Sequence, residues 1–272
     1  MGRYKTVTQQ RNEAAARRAY VQIAFVVAAF AVILAVYYVT LSGRRTLDKV
    51  TLCPASPDAV TVLLVDVTDP LNVPQRQDFI NQLERLRSSM PRYGKLAIFK
   101  VDPLSDQLLK PVIERCNPGT AADVNELTGN KEQVAKAWDQ GFKKPLDDAF
   151  SQVLAESDAP QSPVLESIQS VVLTQMKNQQ ADGKTQRLIV ASDLLQNTAR
   201  MSFYAGLPTP DAAIQSGAFR SLRTDLKGVE VELWMLQRPD AKSRQPAQLR
   251  QVWEAMISEM GGKVVREYNV SG

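Results

Sequence analysis

Val60–Pro70 reads Val-Thr-Val-Leu-Leu-Val-Asp-Val-Thr-Asp-Pro. It is an apolar run with little alternation that stops in two carboxylates and a hydroxyl. Aliphatic and β-branched residues without a polar face predict a strand buried on both sides, as in a parallel sheet. In open α/β sheets, ligands gather beyond the carboxyl ends of such strands. Asp66, Thr68 and Asp69 therefore mark a candidate site.

Working outward from this strand, Pro74–Ser89 reads as a helix, with Phe79, Ile80, Leu83 and Leu86 at helical spacing. Leu96–Val101 reads as a second strand, and Leu109–Arg115 as a third, paired with it as a hairpin. Thr120–Gly141 is polar, with Lys131–Trp138 helical, and Leu146–Leu154 is a further helix. Ser162-Pro163 opens a strong helix over Val164–Lys177, with Ser162 expected as its N-cap and Glu166 in its first turn. Arg187–Ala191 is another central strand, followed by Ser192 and Asp193. Ala212–Leu226 and Pro246–Met260 read as helices, Val229–Leu236 and Lys263–Val270 as strands. Strands alternating with helices predict an α/β fold: a doubly wound, mostly parallel sheet with right-handed crossovers and helices on both faces.

Charge narrows the function. The chain has 272 residues and a net charge of +4. Residues 1–49 carry eight Lys/Arg against Glu13 and Asp48, a net of +6, so residues 50–272 carry 4 − 6 = −2. The basicity belongs to the N-terminal segment, and no nucleic-acid partner is expected for the remainder. There is no histidine, which excludes His-based acid/base catalysis, Ser-His-Asp triads and His-ligated zinc. Two cysteines, Cys53 and Cys116, are too few for a four-cysteine zinc site. They form either one disulfide in an oxidising compartment or a pair of buried thiols.

Ala19–Gly43 contains no charged side chain, and Val21–Leu41 is almost wholly apolar. About 20 apolar residues cross a hydrocarbon core of about 30 Å, and Tyr20, Tyr37 and Tyr38 stand near the ends, where aromatic rings favour the interface. A cleavable signal peptide has a shorter apolar region and a small-x-small site. This run is longer and continues into Ser42-Gly43-Arg44-Arg45, so a retained anchor is the reading. The chain divides into an N-terminal segment at 1–19, a transmembrane helix at 20–42, a linker at 43–58 and an α/β domain at 59–272. Five basic residues precede the span and three follow it closely. The positive-inside bias then predicts a cytoplasmic N-terminus and a large domain across the membrane, which is the periplasm if the cell is Gram-negative.

The loop after the first strand, the helix start at Ser162 and the loop at Ser192-Asp193 all project from one rim of such a sheet. Hydroxyls and carboxylates are hard ligands, suited to Mg²⁺, Mn²⁺ or Ca²⁺. At these residues the chain resembles the von Willebrand factor type A family, whose metal-ion-dependent adhesion site has Asp-x-Ser-x-Ser after the first strand. That family takes a Thr from a second loop and an Asp from a third. Asp66-Val67-Thr68-Asp69-Pro70 matches its first two ligand positions with Thr for Ser; Ser162 matches the Thr, and Asp193 the last Asp. The third hydroxyl position is Pro70, which has no side-chain ligand; Asp69 compensates or the site is degenerate. The resemblance spans about Thr51–Val270 and implies a protein-binding domain, with Mg²⁺ (or Mn²⁺ or Ca²⁺) at Asp66, Thr68, Asp69, Ser162 and Asp193.

The leading expectation is a membrane-anchored interaction module, not an enzyme, that binds another protein of the same membrane system through this rim. Two alternatives stand beside it. Acidic strand ends also suit metal-dependent phosphohydrolases of the haloacid dehalogenase type, with Asp66 as nucleophile. A purely structural subunit of a membrane complex would carry the rim as a relic, and Pro70 favours that reading.

Overall fold

The computed structural model describes residues 7–42, 45–68, 70–102, 108–124, 130–154, 159–176, 183–238 and 245–270, with side chains of the first helix described over 16–39. Asp69 lies outside the described residues. The chain divides into two units, Met1–Thr46 and Leu47–Gly272.

The first unit is the helix α1, Val7–Ser42. Its stretch Ala16–Val39 is long and apolar enough to cross a membrane, and none of it is buried. At about 1.5 Å per residue, 24 residues reach about 36 Å, more than a hydrocarbon core of about 30 Å. A core helix of comparable hydropathy would be covered by protein; Phe25 is 76% exposed.

The second unit is a six-stranded sheet. Its strands are β1 (Ala59–Val65), β2 (Lys95–Lys100), β3 (Ile113–Cys116), β4 (Thr185–Ser192), β5 (Val229–Leu236) and β6 (Lys263–Val270). They lie in the order β3-β2-β1-β4-β5-β6. All pairings are parallel except β2 with β3; this is the expected antiparallel pair at the sheet edge, although β3 begins at Ile113 rather than Leu109. The Val60 run is β1, at the middle, and its side chains are buried on both faces. Val60, Val62 and Leu64 pack into one core with the helices α5 (Val164–Gln175) and α8 (Gln248–Glu259). Leu63 and Val65 pack into the other with α2 (Val73–Ser89) and α4 (Lys144–Val153).

Several elements depart from the sequence reading for local reasons. Asn72 caps α2 through a reciprocal pair with Gln75, so the helix starts one residue before Pro74. The helix α3 (Lys131–Trp138) runs into α4 through a π turn at Asp139–Lys143. Ala212–Leu226, expected as one helix, is two short ones, α6 (Pro210–Gln215) and α7 (Gly217–Leu222). Ser216 breaks them: its backbone is extended (φ −65°, ψ 142°), and its side chain accepts from the Phe219 amide to start α7.

Within the segment read as linker, Asp48 closes a turn by accepting from the Val50 and Thr51 amides. These hydrogen bonds, with Thr51 first, hold its carboxyl below the usual carboxylate range. Cys53 and Cys116 form a disulfide, which ties this segment to the end of β3, where the Cys116 amide also donates to the Thr51 carbonyl.

Candidate functional site

Strand order reverses between β1 and β4, since β1 is followed in sequence by β2 on one side while β4 lies on the other. Crevices at such switch points are where doubly wound sheets bind ligands. The parallel register pairs Val65 with Ala191, and the Asp66 amide donates to the Ala191 carbonyl at 2.8 Å. Asp66 and Ser192 therefore leave the sheet side by side.

Asp66 is the hub. Its Oδ2 accepts from Ser162 Oγ at 2.6 Å and from Ser192 Oγ at 2.9 Å, and its Oδ1 accepts from the Thr68 amide at 3.2 Å. Asp66 is 2% exposed. A carboxylate this far from water is held by donors of this kind, and hydroxyl donation to a charged acceptor is stronger than to a neutral one.

Ser162 was expected as the N-cap of α5, and it does not cap. The residue before the helix is Pro163, and the Ser162 hydroxyl turns to Asp66. The cap is supplied from a distance instead: Gln196 Oε1 accepts from the Leu165 amide at 2.9 Å. Gln196 Nε2 donates to Glu166 Oε2 at 2.8 Å, so Glu166 braces the loop rather than the helix end. Ser162 and Asn197 exchange backbone hydrogen bonds of 3.0 and 2.9 Å, which fixes the start of α5 against the loop after β4.

Asp193 is brought to the same rim. Its Oδ1 accepts from the Leu195 amide, and its Oδ2 faces Arg238 Nε at 3.4 Å. Leu194 between them holds φ +62°, a conformation that costs about 1 kcal/mol for a side-chain-bearing residue. The loop is overdetermined around it: Ser192 Oγ accepts from the Leu194 amide, and Trp253 Nε1 donates to the Leu194 carbonyl. Arg238 also donates through Nη1 to the Pro70 carbonyl at 3.2 Å. Gln245 Nε2 donates to the carbonyls of Asp193 and Leu236, while its Oε1 accepts from the Arg238 amide.

Of the residues singled out in the sequence, Asp66, Thr68, Ser162 and Asp193 meet at one rim, and Ser192, already placed in that loop, is a direct partner of Asp66. Arg238, Gln245 and Gln196 carry no motif. The only hint of Arg238 was its place just past the end of a central strand, the position that Asp66 and Asp193 also hold.

The donors can be tested against a divalent cation. Such an ion needs several oxygens turned to one point. Here both Asp66 oxygens accept hydrogen bonds, Pro70 offers its carbonyl to Arg238, and the outer oxygen of Asp193 faces a guanidinium. This arrangement does not fit a divalent ion at Asp193.

Beside the rim lies an open groove of about 470 Å³, lined in part by Leu109, Gln161, Pro163, Leu173, Ala199 and Arg200.

No protein-family model and no curated protein sequence matches the chain. Solved structures do. It is similar to the conserved hypothetical protein BatB from Bacteroides thetaiotaomicron, with 10% identity and a TM-score of 0.40, covering 78% of this chain and 91% of that one. It is similar to an aerotolerance-related membrane protein from Bacteroides fragilis, with 10% identity and a TM-score of 0.35, covering 79% and 92%. It is also similar to the VWA domain of SpRpn10, with 9% identity and a TM-score of 0.38, covering 79% and 90%. The α/β unit is a doubly wound, mostly parallel sheet with three loops meeting at its switch point, in a chain that also carries one N-terminal apolar helix.

Proposed function

We propose that the protein is a single-pass membrane protein whose von Willebrand A-like domain binds another protein of the same membrane system at the rim that Asp66, Ser162 and Asp193 hold together. The observation that carries this reading is the convergence of three loops on the buried carboxylate of Asp66, beside an open groove with exposed Leu173 and Ala199. A hydrolase reading is poorly supported, because a nucleophilic carboxylate needs an approach path. Asp66 is 2% exposed and holds two hydroxyls on one oxygen.

The apolar, unburied length of α1 supports a membrane span, and the excess of basic residues before it supports a cytoplasmic N-terminus. In a Gram-negative cell the domain then faces the periplasm, where Cys53–Cys116 would be stable.

The test is site-specific photo-crosslinking in native membranes. A crosslinker at Ala199, exposed beside the rim, should give a discrete protein adduct, and one at Glu254, exposed on α8, should not. Leu173→Glu, also at an exposed position, should cut the Ala199 adduct at least tenfold, which corresponds to about 1.4 kcal/mol of binding. Equal adducts at both positions would move the interface away from the rim.

A further inference from the structure

We propose that Arg238 does the work of a bridging cation in this rim, so that the loops are held together without a divalent metal. A metal at such a site would link the loop after β1 to the loop after β4. Arg238, from the loop after β5, already makes that link: Nε faces Asp193 Oδ2 at 3.4 Å, and Nη1 donates to the Pro70 carbonyl at 3.2 Å.

Three features make this more than a surface ion pair. The side chains are 12% and 3% exposed, so water screens the pair little. A guanidinium is a fixed, delocalised cation with a planar fork of donors, which can serve a carboxylate and a carbonyl at once. Its backbone is anchored as well, since the Arg238 amide donates to Gln245 Oε1, and Gln245 in turn holds the Asp193 carbonyl. The sequence departs from the metal-site pattern at Pro70, where a ligating hydroxyl is missing. That same residue supplies the carbonyl to which Arg238 donates. Loss of a ligand and gain of an internal cation fall on one contact. The positive charge that links the two loops is built into the chain.

This deepens the reading of the rim as the binding surface, and its test needs no partner. The full-length protein in detergent is titrated with Mn²⁺, with free Mn²⁺ followed by electron paramagnetic resonance, and is melted with Mg²⁺, Mn²⁺ or EDTA. Wild type should leave the Mn²⁺ signal at its protein-free intensity and melt at one temperature in all three. Arg238→Gln should melt several degrees lower, and Arg238→Lys, which keeps the charge but not the fork, should recover part of that loss. Mn²⁺ uptake by wild type overturns the proposal, as does an Arg238→Gln variant that melts like wild type or an Arg238→Lys variant no better than Arg238→Gln. Mn²⁺ uptake would leave partner capture at Ala199 untouched, and a failed crosslinking experiment would leave these melting results standing.

Discussion

Asp66 accepts from Ser162 and Ser192 with one oxygen and from the Thr68 amide with the other, so its two oxygens do different jobs. An amide cannot reproduce both, because one end of Asn is a donor. Asp66→Asn either faces two hydroxyls with an NH₂ group or leaves the Thr68 amide opposed. Hydrogen bonds to charged acceptors contribute about 1.5–3 kcal/mol, and orphaned buried groups cost about 1–3. The substitution should therefore destabilise the α/β unit by about 2–4 kcal/mol in chemical denaturation of the full chain. Ser162→Ala removes one donor and leaves Ser192 in place, and should cost about 1–2 kcal/mol. Equal losses in the two variants would mean that Asp66 is not the hub. The acidic strand end was legible in the sequence because a buried apolar run ending in Asp has few other readings. The direction of each side chain was not. Ser162 has cap chemistry, and only the nearness of β1 and β4 gives its hydroxyl a carboxylate to prefer. Arg238 was illegible for a similar reason: a lone arginine after a strand has no local pattern, and its role comes from where Pro70 and Asp193 happen to lie.

At the level of elements, β1, β4 and β5 could be read directly because each is largely buried and holds an uninterrupted apolar run, Val62–Val65, Leu188–Ala191 and Leu233–Leu236. The edge strand β6 is different. Its exposed and half-buried residues alternate irregularly, and it is tied to α2 by polar contacts: Tyr268 Oη donates to Asp78 Oδ1 at 2.6 Å. That hydrogen bond, followed by burial, raises the Tyr268 hydroxyl above its ordinary value of 10.0. The folded state thus holds the proton more tightly than the unfolded chain does. The contact stabilises fully below about pH 10 and is lost as pH rises through the raised folded value. Tyr268→Phe should cost about 1 kcal/mol at neutral pH. Denaturation midpoints of wild type and variant should then converge as pH climbs above about 10; a gap that stays constant with pH would show that the hydroxyl's proton is not what β6 gains. Helix boundaries were less legible than strands. Ser216 is compatible with a helix by composition, and it breaks one only because its side chain serves the next helix start.

The whole molecule joins a basic N-terminal segment of net charge +6, which carries the apolar helix, to a remainder of −2, and the pair Cys53–Cys116 reports on the compartment in which the remainder resides. The disulfide closes 63 residues of chain, and loop-closure entropy gives it a contribution of about 4 kcal/mol. Oxidising compartments keep such a bond; cytosolic thiol systems reduce it. Topology is therefore readable from the protein's own cysteines. Cells expressing wild type, denatured in a maleimide reagent without reductant, should yield protein with no label, because both cysteines are in the bond. Replacing Arg3, Lys5, Arg11, Arg17 and Arg18 with Gln leaves three basic residues after the span, at Arg44, Arg45 and Lys49, and none before it. The positive-inside bias then reverses. A fraction of the variant should insert with its domain in the cytoplasm, take up two maleimides per chain and melt lower by the contribution of the missing disulfide. Complete protection of the variant would mean that charge around the span does not set its orientation, and full labelling of wild type would place the domain on the reducing side.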